Sequence, residues 1–371
     1  MKSIEIVLPG RVEPEALVAV EREVQGPAPG KLLVELEAAG VSFAEVQMRR
    51  GRYPGQPAFP FVPGYDLVGK VVALGAGVSG LSVGERVAVM TLTGAWAQVV
   101  EVEARAAVPV PPEVSSADAA AVIVNGVTAR RMLIDARVRA GDTVLVHGAG
   151  GGVGTLLVQL ACRLGARVIG TGRATQRSTI EALGASFVDY RSDDVAERVR
   201  ALAPGGVAAV FDHVGGDSLR RSYRLLARRG TLVSYGSAST RDEQGSAWTP
   251  IVKNMLWALS KNLVPGGRRV RSFDVWGRAE LGLSRAAFFA RYRRDLAAVL
   301  ERVARGELRA TIAATFPLTQ AAEALRLHES GKTAGKILLV PSLTPAPHTV
   351  SSFRFPSGRS VSDGTQGQPA R

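Results

Sequence analysis

The hydrophobic positions of the chain change their spacing about a third of the way along. From Lys31 to about Val110, short apolar runs are broken by glycine and proline, as in KLLVELEAAGVSF and AWAQVVEV, which is typical of compact β structure. From Asp142 onward, apolar strands alternate with helix-like stretches every 20 to 25 residues. This alternation indicates βαβ units and a parallel sheet, so we place a domain boundary near residues 110–125.

Six segments of the second region have the composition of buried strands. They are TVLVHG (143–148), RVIGTG (167–172), SFVDY (186–190), VAAVFDHV (207–214), TLVSYG (231–236) and VRSFDVW (270–276). Six such strands predict a doubly wound α/β sheet. Residues 286–305 have helical spacing, and the segment that ends at Val340 reads as strand, helix and strand that rejoin the first domain.

The predicted domain organisation follows from these patterns. We assign residues 1–122 to a first domain completed by about 285–341, and residues 123–284 to a second domain. Residues 342–371 are rich in Ser, Pro and Gly and poor in large apolar side chains, so we predict a disordered tail.

Composition narrows the classes of function. The chain contains no apolar run of the length that a membrane span needs, and the first residues do not resemble a signal peptide, so we expect a cytoplasmic protein without a membrane span. Cys162 is the only cysteine, which leaves no intramolecular disulfide and no cysteine-rich zinc site.

The net charge of +13 makes contact with an acidic partner feasible, and twelve of the basic residues fall within 261–310. Only seven of the 46 basic residues are lysine, so we favour a solvated basic face and expect no nucleic-acid partner.

The most informative segment is DTVLVHGAGGGVGTLLVQLACRLGARVIGTGR. Here a buried strand runs into a glycine cluster that opens an amphipathic helix, with Gly148, Gly151 and Gly154 in a GxxGxxG spacing. Glycine lets a pyrophosphate approach the backbone N–H groups at a helix N-terminus, where the helix dipole also favours an anion. We therefore predict a dinucleotide site, in preference to a tight turn without a ligand.

The end of the second strand of this region indicates which dinucleotide binds. A site selective for NAD usually carries Asp or Glu there, but this chain reads Gly170, Thr171, Gly172 and Arg173. Arg173 and Arg177 could instead pair with a 2′-phosphate, because a guanidinium offers several donors to phosphate oxygens. NADPH is the predicted cofactor, unless these arginines point only into solvent.

An ordered set of further segments resembles the medium-chain dehydrogenase/reductases, and within them the zinc-independent quinone oxidoreductase-like branch. The matching segments are GVSFAEVQMRRGRYP, PFVPGYDLVGKVVALGAGV, VGERVAV, NGVTA, VLVHGAGGGVG, FDHVGG, LVSYG and TAGKILLV. They span most of residues 1–341. The resemblance implies a GroES-like β domain joined to a Rossmann domain, with the active site in the cleft between them.

Metal-dependent members of this family hold a catalytic zinc with a Cys and a His-Glu pair. The matching positions here are Ser42, Tyr65 and Asp66, so we expect no metal. The chain has four histidines: His147 and His213 lie at strand ends, and the other two are isolated. Each is better explained as a structural or exposed residue than as a zinc ligand.

The resemblance also implies roles for individual residues. Tyr53 of GRYPG matches a tyrosine at the substrate end of the nicotinamide, which makes it the candidate proton donor, although a tyrosine before proline often only packs. Ser42 stands where relatives often carry Asn, and is the second catalytic candidate. The residues implied or predicted to bind the cofactor are Asn125, Thr128, Gly148, Gly151, Gly152, Val153, Gly154, Arg173, Arg177, Tyr190, Ser234, Tyr235, Gly236 and Lys336.

The predicted function is therefore an NADPH-dependent reductase that transfers hydride to a quinone or to the C=C bond of an α,β-unsaturated carbonyl. Two alternatives stay open: an enoyl reductase of polyketide or fatty-acid synthesis that meets an acidic carrier protein, and a catalytically silent NADPH-binding protein. The substrate is expected to be a small molecule. Members of the family are commonly homodimers formed by edge pairing of the Rossmann sheets, with VRSFDVW as the edge strand here.

Overall fold

A computed structural model describes residues 1–236, 248–263, 267–277 and 282–341. The chain divides into two compact units. The first contains Met1–Val124 together with the chain from Arg291 onward, and the second contains Asn125–Ala290. The predicted disordered tail, residues 342–371, lies outside the described residues.

The first unit is built mainly from β-strands. Its strands are β1 (Lys2–Val7), β2 (Val18–Glu23), β3 (Lys31–Val41), β4 (Asp66–Leu74), β5 (Arg86–Met90), β6 (Val99–Glu103), β7 (Ala107–Pro109), β14 (Ile312–Pro317) and β15 (Lys336–Val340). Its helices are α1 (Phe43–Arg49) and α9 (Ala321–Ser330). Two longer helices, α2 (Ser116–Ala136) and α8 (Arg285–Ala304), cross the boundaries of the two units.

A seven-stranded sheet forms the centre of the first unit. Its order is β14-β15-β3-β4-β5-β7, with β6 pairing β3, while β1 and β2 form a separate pair. The C-terminal strand β15 pairs antiparallel with β3, so residues from both ends of the chain share this sheet. Gly69 on β4 allows the closest strand approach, because a Cβ there would lie 2.0 Å from the carbonyl oxygen of Glu35 on β3.

The second unit is an α/β domain. Its strands are β8 (Thr143–Val146), β9 (Arg167–Gly172), β10 (Ala185–Asp189), β11 (Val207–Asp212), β12 (Leu226–Ser234) and β13 (Arg269–Ser272). The helices that connect them are α3 (Gly152–Arg163), α4 (Arg177–Ala182), α5 (Val195–Leu202), α6 (Asp217–Leu225) and α7 (Trp248–Asn262).

All six strands of this unit are parallel, in the order β10-β9-β8-β11-β12-β13. This is the Rossmann order, in which the chain starts in the middle of the sheet and winds outward in both directions. Strands such as β8 are buried along their whole length, as expected for a parallel sheet with helices on its faces. The predicted fold class, a GroES-like β unit and a six-stranded Rossmann unit, is confirmed.

All six predicted Rossmann strands are present, but several ends differ from the prediction. Strand β8 stops at Val146, because the chain turns at Gly148 with φ of +65°. Strand β12 starts five residues earlier than expected, at Leu226, and β13 ends at Ser272. Within the described ranges, no helix is both long enough and apolar enough to cross a membrane.

Candidate functional site

The glycine turn, residues 148–154, joins β8 to α3. Gly148 adopts a positive φ, and a Cβ there would lie 2.4 Å from the imidazole of His213. The N–H of Ala149 donates to the carbonyl of Thr171 on β9 (2.8 Å), which fixes the turn against the neighbouring strand. A Cβ on Gly154 would lie 2.1 Å from the Gly148 carbonyl oxygen. These glycines are therefore required for the turn to close tightly onto the start of α3.

The N-terminus of α3 is suited to an anion. Its N-cap is Gly151, which has no side chain to accept a hydrogen bond from the first free N–H groups. Val153 follows in the first turn, and Gly152 lies beside the side chain of Asn125, where a Cβ would come within 2.6 Å of the Asn125 amide nitrogen. Free N–H groups, the helix dipole and missing Cβ atoms together fit a pyrophosphate, so the residues present suit a dinucleotide.

Three predicted residues follow β9 and β10 along the chain, and we call them the arginine cluster: Arg173 directly after β9, Arg177 at the start of α4 and Tyr190 directly after β10. The Nε of Arg173 donates to the Tyr190 hydroxyl (3.0 Å). Arg177 is exposed, with its guanidinium 4.5 Å from the centre of the Phe187 ring and 3.3 Å from the Glu181 carboxylate. In a parallel sheet the carboxyl ends of adjacent strands form one ligand-binding edge, so this cluster is placed for a phosphate.

The predicted loop Ser234, Tyr235 and Gly236 follows β12 and lies next to His213. The N–H of Tyr235 donates to the carbonyl of Asp212 (3.0 Å), and the rings of Tyr235 and His213 are 5.9 Å apart. A Cβ on Gly236 would lie 2.7 Å from the His213 carbonyl oxygen. Because His213 also covers Gly148, this loop and the glycine turn are neighbours in the second unit. Desolvation raises the pKa of the Tyr235 phenol, and the nearby Asp212 charge raises it further.

A buried polar network that the sequence analysis did not predict holds the base of this region. Asp212 accepts hydrogen bonds from the hydroxyls of Ser218 (2.7 Å) and Ser222 (2.8 Å) and from two backbone N–H groups of the following turn. His147 reaches Ser222 through Nε2 (3.0 Å) and Thr171 through Nδ1 (3.2 Å). Burial lowers the pKa of His147. The network therefore joins three strands beneath the glycine turn.

Asn125 and Thr128, predicted to bind the cofactor, lie on α2 and are both buried. Asn125 contacts the glycine turn through Gly152, as described above. Thr128 is 6% exposed. Their roles toward a cofactor stay predictions.

Ser42, predicted to be catalytic, is the N-cap of α1. Its hydroxyl accepts from the N–H of Ala44 (3.2 Å), and the Glu45 carboxylate accepts from both the N–H (2.8 Å) and the hydroxyl (2.5 Å) of Ser42. This capping box satisfies the free N–H groups at the helix start. Glu45 is fully buried, and desolvation raises its pKa to about 7, although Lys336 and the Ser42 hydrogen bond oppose that shift.

Lys336, predicted to reach the cofactor, forms a buried ion pair in the first unit. Its Nζ lies 3.0 Å from Oδ2 of Asp66, and the two side chains are 3% and 0% exposed. Both side chains pack against Gly40, where a Cβ would lie within 2.4 Å of the Asp66 and Lys336 side chains. A buried charge of either sign needs such a partner, so the pair fixes β15 to β4 next to β3.

Tyr53, the predicted proton donor, is half-buried in the turn after α1. Its hydroxyl is hydrogen-bonded to the hydroxyl of Tyr65, with the two rings nearly perpendicular at 79° and 5.7 Å apart. Tyr65 appeared in the sequence analysis only as the replacement of a zinc-ligating histidine. Its contact with Tyr53 could not be read from the spacing of the two residues.

The positions that hold zinc in metal-dependent relatives have other partners here. Ser42 caps α1, Tyr65 bonds Tyr53, and Asp66 is neutralised by Lys336. A hydroxyl, a phenol and a carboxylate already paired with an ammonium do not fit the nitrogen and sulfur ligand set of a catalytic zinc. Within the described residues no three His, Cys, Asp or Glu side chains are grouped to hold a metal ion.

Two family models match the chain. The alcohol dehydrogenase GroES-like domain matches residues 28–137, and the zinc-binding dehydrogenase model matches residues 183–339. The human synaptic vesicle membrane protein VAT-1 homolog is 32% identical over 327 residues, which cover 85% of this chain and 80% of that protein.

A second relative and a solved structure extend the comparison. The phthioceranic/hydroxyphthioceranic acid synthase of Mycobacterium tuberculosis is 33% identical over 98% of this chain, which spans only 17% of that much longer protein. The structure of Escherichia coli quinone oxidoreductase complexed with NADPH aligns with a TM-score of 0.77 and 29% identity, over 92% of this chain and 100% of that one. By its ordered motifs, its two folds and these relatives, the chain belongs to the medium-chain dehydrogenase/reductase superfamily.

Proposed function

We propose that this oxidoreductase uses NADPH, without zinc, to reduce a quinone or the C=C bond of an α,β-unsaturated carbonyl. The observation that carries the cofactor assignment is the glycine turn, whose N–H groups and missing Cβ atoms form a site for a pyrophosphate. The arginine cluster supports the choice of NADPH, since no carboxylate stands at the end of β9 to bind a ribose 2′-hydroxyl. The NADPH complex of the E. coli quinone oxidoreductase agrees with this choice.

NADPH supplies the hydride, which is the difficult part of the chemistry. The chain's own residues bind the cofactor and supply the proton that follows the hydride. Arg173, held by Tyr190, binds the 2′-phosphate, while the turn at Gly148–Gly154 binds the pyrophosphate. The buried Asp212 network keeps the loop around His213 in place beside that turn.

Reduction of a conjugated carbonyl develops negative charge on the substrate oxygen, and a proton must follow the hydride. Tyr53 is the residue that we assign to this step, because a phenol both stabilises an enolate by hydrogen bonding and can transfer a proton to it. Ser42 keeps its hydroxyl in the capping box, and its predicted catalytic role is therefore limited to a further hydrogen bond to the substrate.

The test is oxidation of NADPH, followed by its absorbance, with simple quinones, enones and a 2-enoyl thioester as acceptors. Turnover with a quinone or an enone is the expected result. Measurements with and without a strong chelator test the zinc-independent part, and equal rates are expected. If the protein binds NADPH but turns over none of these acceptors, the result would instead favour a catalytically silent NADPH-binding protein.

A second candidate substrate is a 2-enoyl thioester. The match to the M. tuberculosis synthase over nearly the whole chain favours it, and the excess of arginine in residues 261–310 would suit an acidic carrier protein. Faster turnover of a carrier-bound enoyl group than of the same group on a small thiol, with a loss of that advantage at high salt, would select this candidate.

A further inference from the structure

We propose that Tyr65 is a positioning residue that orients and supports Tyr53 during proton transfer. This inference rests on the proposed function, since it concerns how Tyr53 performs its step. Its basis is the direct hydrogen bond between the two phenol hydroxyls and the edge-to-face packing of the two rings. In the matching sequence position, metal-dependent relatives carry a zinc-ligating histidine, so Tyr65 contributes a different chemistry from the same place in the fold.

The backbone of Tyr65 is held firmly. The residue is 3% exposed and lies immediately before β4. Thr91 donates its N–H to the Tyr65 carbonyl (2.9 Å) and its hydroxyl to the Gly64 carbonyl (2.9 Å). Gly64 has φ of +108°, and a Cβ there would lie 2.5 Å from the backbone nitrogen of Trp96. The phenol of Tyr65 therefore projects from a fixed point.

Tyr53 is held less tightly by its own segment. It lies in a short turn bounded by Gly51 and Gly55, both with positive φ. The side chain of Gln56 accepts from the N–H of Tyr53 (3.1 Å) and donates to the carbonyl of Met48 (3.2 Å), which anchors the backbone of the turn. These contacts hold the backbone of the turn. The hydrogen bond between the Tyr53 and Tyr65 hydroxyls constrains the direction of the Tyr53 hydroxyl itself.

The chemistry requires more than orientation. Proton transfer from Tyr53 would break its O–H bond and form a bond to the substrate anion, whose negative charge would come from the hydride that bound NADPH supplies as it is oxidised to NADP⁺. Negative charge then develops on the Tyr53 oxygen until solvent returns a proton. The Tyr65 hydroxyl can donate to that oxygen, and a hydrogen bond to a charged group is stronger than one between neutral groups. Tyr65 acts through Tyr53 and is not assigned a contact with the substrate.

The test is a double-mutant cycle on the full chain, with Tyr65→Phe, Tyr53→Phe and the double variant, assayed with NADPH and the best acceptor of the wild-type protein. We expect Tyr65→Phe to lower kcat about tenfold or more, as loss of a charge-assisted hydrogen bond predicts, with KM changed less than about twofold. In the Tyr53→Phe background the same substitution should change kcat by less than about twofold, because its effect requires the Tyr53 hydroxyl.

Tyr292→Phe is the matched control. This tyrosine is also buried in the first unit, and its hydroxyl accepts from the N–H of Met90 (2.8 Å), so its loss removes a buried hydrogen bond in which neither phenol of the pair takes part. It should leave kcat unchanged even where it lowers the melting temperature. If Tyr65→Phe does not fold, Tyr65→Met replaces it in the cycle, and failure of both to fold would assign Tyr65 to packing alone.

The outcomes separate this inference from the function on which it rests. An active wild-type enzyme whose Tyr65→Phe variant keeps its kcat, or whose two substitutions act additively, would overturn the positioning role and leave the proposed function intact. A wild-type protein that turns over no acceptor overturns both.

Discussion

At the scale of single residues, we assign the choice of cofactor to the arginine cluster. The side chain of Arg173 is oriented by Tyr190, whereas the guanidinium of Arg177 already stacks on Phe187 and pairs with Glu181. A guanidinium that is positioned before binding loses less conformational freedom when it meets a phosphate. Because Arg177 already pairs with a carboxylate, we predict that Arg173 is the stronger determinant of NADPH binding.

We predict that Arg173→Ala weakens NADPH binding about tenfold, since a hydrogen bond to a charged group contributes about 1.5–3 kcal/mol. NADH lacks the 2′-phosphate, so its dissociation constant should change by less than about twofold. Nicotinamide fluorescence measures both constants. Arg198→Ala, which removes an exposed arginine on α5, is the control and should alter neither. Equal weakening of NADPH and NADH would contradict the assignment.

Glu45 illustrates a second effect at this scale, the cost of a buried carboxylate. Burial raises its pKa to about 7 from an ordinary value of 4.5, so the folded protein holds a proton that the unfolded chain has released at intermediate pH. The free energy of unfolding should therefore fall as pH rises from about 4.5 to 7 and level off above that range. One pKa unit corresponds to about 1.4 kcal/mol, so the shift of Glu45 can change the free energy of unfolding by at most about 3.5 kcal/mol.

The substitution Glu45→Gln should remove this part of the pH dependence, because an amide does not titrate. Urea unfolding at pH 5 and at pH 8 measures the difference in free energy, and the variant should lose less stability between the two pH values than the wild-type protein. Glu113→Gln, at an exposed position in the same unit, should keep the wild-type difference. If the Glu45→Gln variant loses as much stability between pH 5 and pH 8 as the wild-type protein, groups other than Glu45 cause the pH dependence of the free energy of unfolding.

Residues that are close in sequence could be predicted, and residues joined only by the fold could not. The glycine turn is a local motif with a strand before it and a helix after it, so spacing and residue type were sufficient to find it. The Tyr53–Tyr65 contact depends on the path of the chain between α1 and β4. The hydrogen bond of His147 to Ser222 joins positions 75 residues apart. Neither contact leaves a periodic pattern in the sequence.

At the scale of secondary-structure elements, the junction of β8, the glycine turn and α3 depends on close backbone packing. A Cβ on Gly154 would lie 2.1 Å from the Gly148 carbonyl oxygen and within 3 Å of the Ala149 backbone. No rotamer change can relieve a contact between a Cβ and backbone atoms. The first turn of α3 would have to move away from the turn that precedes it.

The substitution Gly154→Ala should therefore lower the free energy of unfolding by about 1–3 kcal/mol, as overpacking typically does, and weaken NADPH binding more than tenfold. Thermal unfolding and fluorescence titration measure the two effects. In Gly205→Ala the new Cβ has no heavy atom within 4 Å, so this control should change stability by less than about 0.5 kcal/mol. If the Gly154→Ala protein binds NADPH with unchanged affinity, the assignment of the pyrophosphate to this turn is wrong.

The spacing of apolar residues predicted the elements themselves better than their ends. Parallel strands buried on both faces, such as β8 and β11, leave continuous apolar runs that made them recognisable. Their ends depend on turns, as at Gly148, or on pairing, as where Val207 of β11 pairs with Leu226 at the start of β12. Turns and strand pairing therefore lengthen or shorten a strand without any change in the hydrophobic pattern of its sequence.

At the scale of the whole molecule, the edge strand β13 bears on assembly. Its inner side pairs with β12, and Phe273 continues that side by donating to the Ser234 carbonyl (2.7 Å). On the outer side, the amide of Asn262 both accepts from the N–H of Val270 and donates to its carbonyl, each at 2.8 Å. Asn262 thus covers the start of the edge, and we expect a second copy to pair with the end of the strand beyond Val270.

We predict a homodimer, with a mass by light scattering twice the 39.0 kDa of the chain, that pairs through this end of β13. Because backbone groups alternate along a strand, Ser272 faces outward like Val270, so Ser272→Pro removes an outward N–H and keeps the bonds to β12. The variant should dissociate at concentrations where the wild-type protein is dimeric, and Ser272→Ala should not. A dimer that survives Ser272→Pro would have to use another surface, and a monomeric wild-type protein would contradict the predicted pairing through β13.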